Sequence, residues 1–258
     1  MTATASAADH ESAATIATEA GKLLLGLRAA LDDPATDPTA LRAEGDRASH
    51  DFIIAALTRA HPDDAVLSEE GVDAPARLAA TRVWIVDPLD GTREFGEAGR
   101  TDWAVHVALI IEGQVRAAAV ALPARGLTLS SVPAPTPSPA HEGPPRIVVS
   151  RTRPPAIAEQ LAAQLDGVLV PLGSAGAKAM AVVMGDADIY AHSGGQYEWD
   201  SAAPVGVAAA ANLHTSRLDG SPLVYNQPEP WLPDLLICRP ELTARVLDVV
   251  RSSAGQTQ

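Results

Sequence analysis

The chain has 258 residues, 47% of them apolar and 20% charged, a length that suits one or two domains and a composition that excludes a disordered, collagen-like or coiled-coil protein. Lys and Arg number 19 against 32 Asp and Glu, and the resulting net charge of −13 opposes nonspecific binding to nucleic acid or anionic membrane. The one cysteine, Cys238, has no internal disulfide partner, and no segment has the ~18 uninterrupted apolar residues of a membrane span or the basic flank of a signal peptide, so a cytoplasmic location is expected.

In chain order, Ile16, Ala20, Leu23, Leu24, Leu27 and Leu31 recur at helical spacing, ended by Asp32, Asp33 and Pro34. A second helix is predicted over 46–60, with Phe52, Ile53, Ala56 and Leu57 on its apolar face. Short apolar runs then predict strands at 65–67, 83–86, 105–111 and 115–122, the last two joined as a hairpin across Glu112 and Gly113. The proline-rich stretch 132–145 offers neither ladder donors nor a core and reads as an exposed loop. It separates an expected N-terminal α+β lobe, 1–131, from an α/β lobe, 146–258. In the second lobe, strands at 146–149, 168–170, 188–191 and 235–238 alternate with a helix opened by Pro154 and Pro155, helices over 176–184 and 200–211, and a terminal helix from Pro240. Interleaved helices and strands imply an α/β, layered α+β architecture.

The segment Val83 to Thr92 delivers two carboxylates, Asp87 and Asp90, at a strand end, where Pro88 is expected to stop the ladder. The Gly91-Thr92 pair can open a short helix whose free amides face an anion. Read alone, Asp87 and Asp90 serve equally as turn formers or helix caps. Glu69, after a short strand, and Asp200, at a helix start, add carboxylates where α/β proteins assemble sites. Four such charges ~4 Å apart would repel by about 4 kcal/mol per pair, so divalent cations must compensate. All-oxygen donors suit Mg²⁺ or Mn²⁺, and the seven scattered histidines form no metal pattern; His106 reads as a packed strand residue and Trp199 as core.

Three separated motifs in one order, LSEEG (67–71), WIVDPLDGT (84–92) and EWDSAAP (198–204), resemble the inositol monophosphatase superfamily of Mg²⁺-dependent, lithium-sensitive phosphatases. The segments 91–95, 102–110, 149–155, 173–180, 194–204 and 217–227 are similar to its CysQ-type branch, which acts on 3′-phosphoadenosine 5′-phosphate, a by-product of sulfate assimilation. The resemblance implies a five-layer αβαβα sandwich of the inositol monophosphatase and fructose-1,6-bisphosphatase type. It also implies two or three Mg²⁺ per site, with Mn²⁺ as a substitute and Li⁺ as an inhibitor. The implied metal ligands are Glu69, Asp87, Asp90, Asp200 and the Leu89 carbonyl. Gly91 and Thr92, with Asp90, hold the phosphate, and Asp46, or Glu44 in its place, joins Thr92 and Glu69 in activating water. Arg151, Ser174, Gly176, Lys178, Tyr225 and Asn226 are implied at the substrate, with Arg93 a further cationic candidate.

The expected reaction is direct attack of a metal-activated water, since no G-x-S-x-G elbow or Cys/His pair supplies a nucleophile. The expected substrate is a phosphorylated nucleotide, with inositol monophosphates or fructose 1,6-bisphosphate as alternatives on the same scaffold and a noncatalytic metal-binding regulator as a second reading. A monomer or homodimer without nucleic-acid or membrane partners completes the expectation.

Overall fold

The computed structural model describes residues 4–254 and opens with two long helices, α1 (Ala7–Arg28) and α2 (Pro38–Ala60). α1 begins well before the predicted apolar stripe because Ser6 and Asp9 form a capping box: Asp9 Oδ2 accepts the Ser6 amide at 2.7 Å, and Ser6 Oγ accepts the Asp9 amide at 3.2 Å. α2 also starts earlier than predicted. Asp37 caps it by accepting the Thr39 amide at 2.9 Å, and Pro38 occupies the first turn. Asp46 therefore lies inside the helix and not at its start.

The remaining elements are β1 (Ala65–Ser68), β2 (Arg82–Asp90), α3 (Thr92–Phe95), β3 (Ala104–Ile111), β4 (Gln114–Leu122), β5 (Leu127–Ser130), β6 (Arg146–Ser150), α4 (Ala156–Leu165), β7 (Val168–Leu172), α5 (Ala175–Met184), β8 (Ile189–Tyr197), α6 (Glu198–Ala210), β9 (His214–Ser216), β10 (Trp231–Cys238) and α7 (Thr243–Ala254). The first sheet has the order β1-β2-β3-β4-β5, with β1 parallel to β2 and the other pairs antiparallel. The second has the order β7-β6-β8-β10-β9, with β6 parallel to β7 and β8, and β10 antiparallel to β8 and β9.

Period-two side-chain alternation decides the layering. On β2 and β3, Trp84, Val86, Val105, Val107 and Leu109 face α1 and α2, while Val83, Ile85, Ala108 and Ile110 face α5 and α6. On the second sheet, Val148, Tyr190, Leu235 and Ile237 meet the same middle helices, whereas Ile147, Val149, Ile189, Leu236 and Cys238 pack under α4 and α7. Five layers, αβαβα, result. With helices on both faces of each sheet the strands read as almost continuous apolar runs. Cys238 is fully buried there.

One expectation fails at Pro88. β2 does not stop before it: the register with β3 shifts between Asp87 and Asp90, and this bulge carries the strand past a proline that has no amide to donate. Among the described residues no helix is long and apolar enough to cross a membrane.

Candidate active site

The bulge at the end of β2 aims Asp87 and Asp90 toward the start of α6, where Asp200 sits. Carboxylate oxygens of Asp87, Asp90 and Asp200 all lie within 4.8 Å of one another. At that separation each charge pair repels by about 3–4 kcal/mol at an effective dielectric near 20, and the side chains respond. Burial, reinforced by Glu69 and Asp90, raises the Asp87 carboxyl well above its ordinary range. Burial and Asp90 push Asp200 up to about 6. Glu69 is exposed on one flank, but partial burial of its carboxyl and the nearby Asp200 push it up to about 7, and it shares a hydrogen bond with Asp87.

Asp90 differs from the other carboxylates. Burial alone would raise it, but His106, Lys178 and the Gly176 amide together hold it below the ordinary range. Its Oδ1 accepts the Ala175 amide at 3.1 Å and its Oδ2 the Gly176 amide at 2.5 Å, so it caps α5 as an anion at a helix N-terminus. His106 is not merely packed: it is fully buried, with Nε2 3.1 Å from Asp90 Oδ2 and Nδ1 3.0 Å from the Trp199 carbonyl oxygen.

Thr92 Oγ1 lies 3.2 Å from Asp46 Oδ1 and 3.1 Å from the Leu89 carbonyl oxygen, so its one hydroxyl proton is shared between α2 and the bulge. Burial and the nearby Glu70 push Asp46 up to about 6. Glu44 turns instead to Arg47. Gly91, at the corner between β2 and α3, has φ 87°, and a Cβ there would come within 2.8 Å of the Ser174 Cβ. Asp87, Asp90 and Asp200, with Glu69 beside them, are crowded all-oxygen donors; the protons that crowding favours on Asp87, Asp200 and Glu69, though not on the ionised Asp90, are what a hard divalent cation replaces, so the set fits such an ion.

Of these residues Asp90, Gly91 and Asp200 open onto a cavity of about 720 Å³ whose walls also include Arg93, Arg151, Ser174 and Lys178. Several expected substrate residues are otherwise engaged. Ser174 caps α5, its Oγ accepting the Ala177 amide at 2.9 Å and its own amide donating to the Asp102 carbonyl at 3.2 Å, and the Gly176 amide is taken by Asp90, so neither backbone amide is free for a ligand. Lys178 is buried beneath the wall, donating to the Ser174 carbonyl at 2.7 Å and to that of Gly173. Arg151 is tied to Glu94 at 2.6 Å and Glu97 at 2.7 Å. Tyr225 and Asn226 are not brought to this cavity. Tyr225 is buried with its hydroxyl 3.3 Å from Ser201 Oγ, and Asn226 Oδ1 accepts from Arg77 Nη1 at 2.7 Å.

Sequence reasoning missed Arg153, Gln196 and Tyr197, which also line the cavity. Among the described residues the side chains of Arg93 and Arg153 make no ion pair. Tyr197 stacks on Trp199 with centroids 4.7 Å apart and 8° between planes, so Trp199 is only partly core. No periodicity signals these residues; the turn after β6 and the end of β8 converge only in three dimensions.

Comparison with known proteins agrees with this geometry. The chain matches the inositol monophosphatase family over residues 2–253. It is 51% identical over 255 residues to the 3′-phosphoadenosine 5′-phosphate phosphatase of Mycobacterium leprae, covering 94% of this chain and 93% of that one. It is 33% identical over 210 residues to the 3′(2′),5′-bisphosphate nucleotidase CysQ of Escherichia coli, covering 72% and 80%. In fold it is similar to the crystal structure of inositol monophosphatase II from Staphylococcus aureus, with a TM-score of 0.78 at 22% identity over 94% of this chain and 95% of the other.

Proposed function

The chain belongs to the inositol monophosphatase family, and from that footing we propose that it hydrolyses the 3′-phosphate of 3′-phosphoadenosine 5′-phosphate to AMP and phosphate, and acts likewise on 3′-phosphoadenosine 5′-phosphosulfate. The observation that carries the reading is the convergence of Asp87, Asp90 and Asp200 at a cavity whose walls also bear the unpaired Arg93 and Arg153. That arrangement suits a ligand with one phosphate to be cut and a second to be held.

Mg²⁺ is the proposed resident ion, with Mn²⁺ as a substitute and Li⁺ as an inhibitor; Asp87, Asp90, Asp200, Glu69 and the Leu89 carbonyl would hold it. Bound there, divalent ions neutralise charge developing on the phosphoryl oxygens and make water acidic enough to react near neutral pH. The protein's own groups do the rest. Thr92 Oγ1, fixed between Asp46 and the Leu89 carbonyl, orients the attacking water. Asp46, which is not among those ligands and which burial raises to about 6, then accepts a proton close to operating pH, with Glu69 beside the water as a second acceptor. Gly91 and Thr92 seat the phosphate at the corner where a side chain at 91 would collide with Ser174. Arg153, with Arg93, takes the second phosphate, while Arg151 braces the wall through Glu94 and Glu97.

Phosphate release from 3′-phosphoadenosine 5′-phosphate, inositol 1-phosphate and fructose 1,6-bisphosphate, each with Mg²⁺ and with EDTA, tests the reading. The nucleotide is expected to be cut fastest and only with metal. Faster turnover of either sugar phosphate, or full turnover in EDTA, overturns it.

A further inference from the structure

We infer that a buried clamp of Arg77, Asn226 and Glu198 positions the metal ligands, setting the segment that carries Glu69 against the helix start that carries Asp200. The two ligands come from distant parts of the chain: Glu69 directly follows β1, and Asp200 lies in the first turn of α6. No strand pairing links those two points, since β1 is an edge strand of the first sheet and α6 follows an inner strand of the second.

The loop before β10 joins them. Arg77, on the connection that leads from Glu69 to β2, is 2% exposed. Its Nη1 donates to Asn226 Oδ1 at 2.7 Å and its Nη2 to the Gln227 carbonyl at 3.0 Å, while Asp73 holds Nε at 2.6 Å. Asn226 Nδ2 returns a bond to the Arg77 carbonyl at 3.3 Å. On the other side, Glu198, the first residue of α6 and 1% exposed, accepts the Asn226 amide on Oε2 at 2.7 Å and the Gln227 amide on Oε1 at 2.8 Å. The Glu198 amide donates to the Pro230 carbonyl at 2.8 Å. Asn226 takes a left-handed backbone, φ 60°, which presents its amide to α6 while its carboxamide faces Arg77.

Both carboxylate oxygens and the amide of Glu198 are thus bonded to this loop. A carboxylate anchored two residues before a ligand fixes where that ligand's helix turn sits; groups bonded to a ligand directly typically contribute 10–100-fold to metal affinity, and a clamp one step further out belongs at the low end of that range. The clamp also explains why Tyr225 and Asn226, expected at the substrate, are turned away from it.

The inference rests on the ligand assignment above, and Mn²⁺ binding to the full chain, followed by calorimetry and by melting with and without Mn²⁺, separates the two. Asn226→Gly keeps the left-handed backbone and removes the carboxamide's two bonds with Arg77, leaving only the bond from Arg77 to the Gln227 carbonyl; Glu198→Gln keeps the shape and breaks one amide bond. Both are expected to weaken Mn²⁺ binding about tenfold and to shrink the melting-temperature gain on adding Mn²⁺, with the nucleotide KM at saturating metal unchanged. Should Glu198→Gln fail to fold, the milder Asn226→Gly carries the test. Unaltered Mn²⁺ affinity with equal loss of stability in both states would make the clamp a fold staple and overturn the inference. A raised nucleotide KM at saturating metal would overturn it too, by returning the loop to the substrate. A wild-type chain that binds no Mn²⁺ would instead overturn the ligand assignment.

Discussion

Arg151 and Arg153 share one turn after β6, and their surroundings give them different work. Arg151 is balanced by Glu94 and Glu97, so its charge is largely answered before a ligand arrives. Arg153 keeps its guanidinium for the cavity, in a chain whose net charge of −13 otherwise opposes an anionic ligand. A charge-assisted hydrogen bond to phosphate typically contributes about 1.5–3 kcal/mol. On that scale Arg153→Gln should lower kcat/KM for 3′-phosphoadenosine 5′-phosphate by about tenfold or more. Turnover of 3′-AMP, which lacks the second phosphate, should stay within about twofold. A parallel loss on both substrates, measured by phosphate release at matched salt, would assign Arg153 to something other than the second phosphate.

The docking of α5 against the ends of β2 and β3 is where residue chemistry becomes an element's position. Gly176 presses so close that an added Cβ would overlap His106 Nε2 and lie 3.0 Å from both Asp90 Oδ2 and the Ala104 Cβ. His106 and Asp90 are buried and held by hydrogen bonds, so neither can swing aside. Gly176→Ala is therefore expected to cost about 1–3 kcal/mol as overpacking, lowering the melting temperature by about 2–4 °C per kcal/mol, and to reduce kcat by displacing Asp90. An unchanged melting temperature would show that α5 has slack where the structure has none. Little of this seat is legible in sequence, because periodicity predicts α5 as a helix but says nothing of what its first turn touches. The carboxylates were legible for the opposite reason: strand ends and helix starts are local features, so Glu69, Asp87, Asp90 and Asp200 stand out in one dimension. The start of α2 lay between these cases. Asp37 and Pro38 are a readable cap, but Leu41 is the one buried large apolar residue before Ile53, and the pattern hides the first turns. At Pro88 a sound rule about ladder donors met a bulge that spares the missing amide.

At the scale of the whole molecule, the gathering of acids makes stability depend jointly on pH and metal. Without metal, Glu69 sits at about 7 and Asp46 and Asp200 at about 6, all above the ~4 of an unfolded carboxyl. Between those values the folded chain binds more protons than the unfolded one, so these groups lower stability as pH rises from about 4 to about 7. His192 and His214, lowered by burial, act with the opposite sign as pH rises toward the ordinary histidine value. A melt in EDTA alone would mix the two effects. The difference between melts with Mg²⁺ and with EDTA cancels whatever does not involve the cation and leaves the carboxylates together with His106, whose proton the Asp90 charge holds and a cation would help to expel. Because Mg²⁺ must displace their protons, the gain from metal should be small at pH 5 and grow through pH 7. At a concentration a hundred times the dissociation constant it should reach about 2.7 kcal/mol, or several degrees in melting temperature. A Mg²⁺-induced gain that stays flat from pH 5 to 8 would mean that the cation binds elsewhere, since no divalent ion can enter this cluster without expelling the protons that crowding has drawn into it.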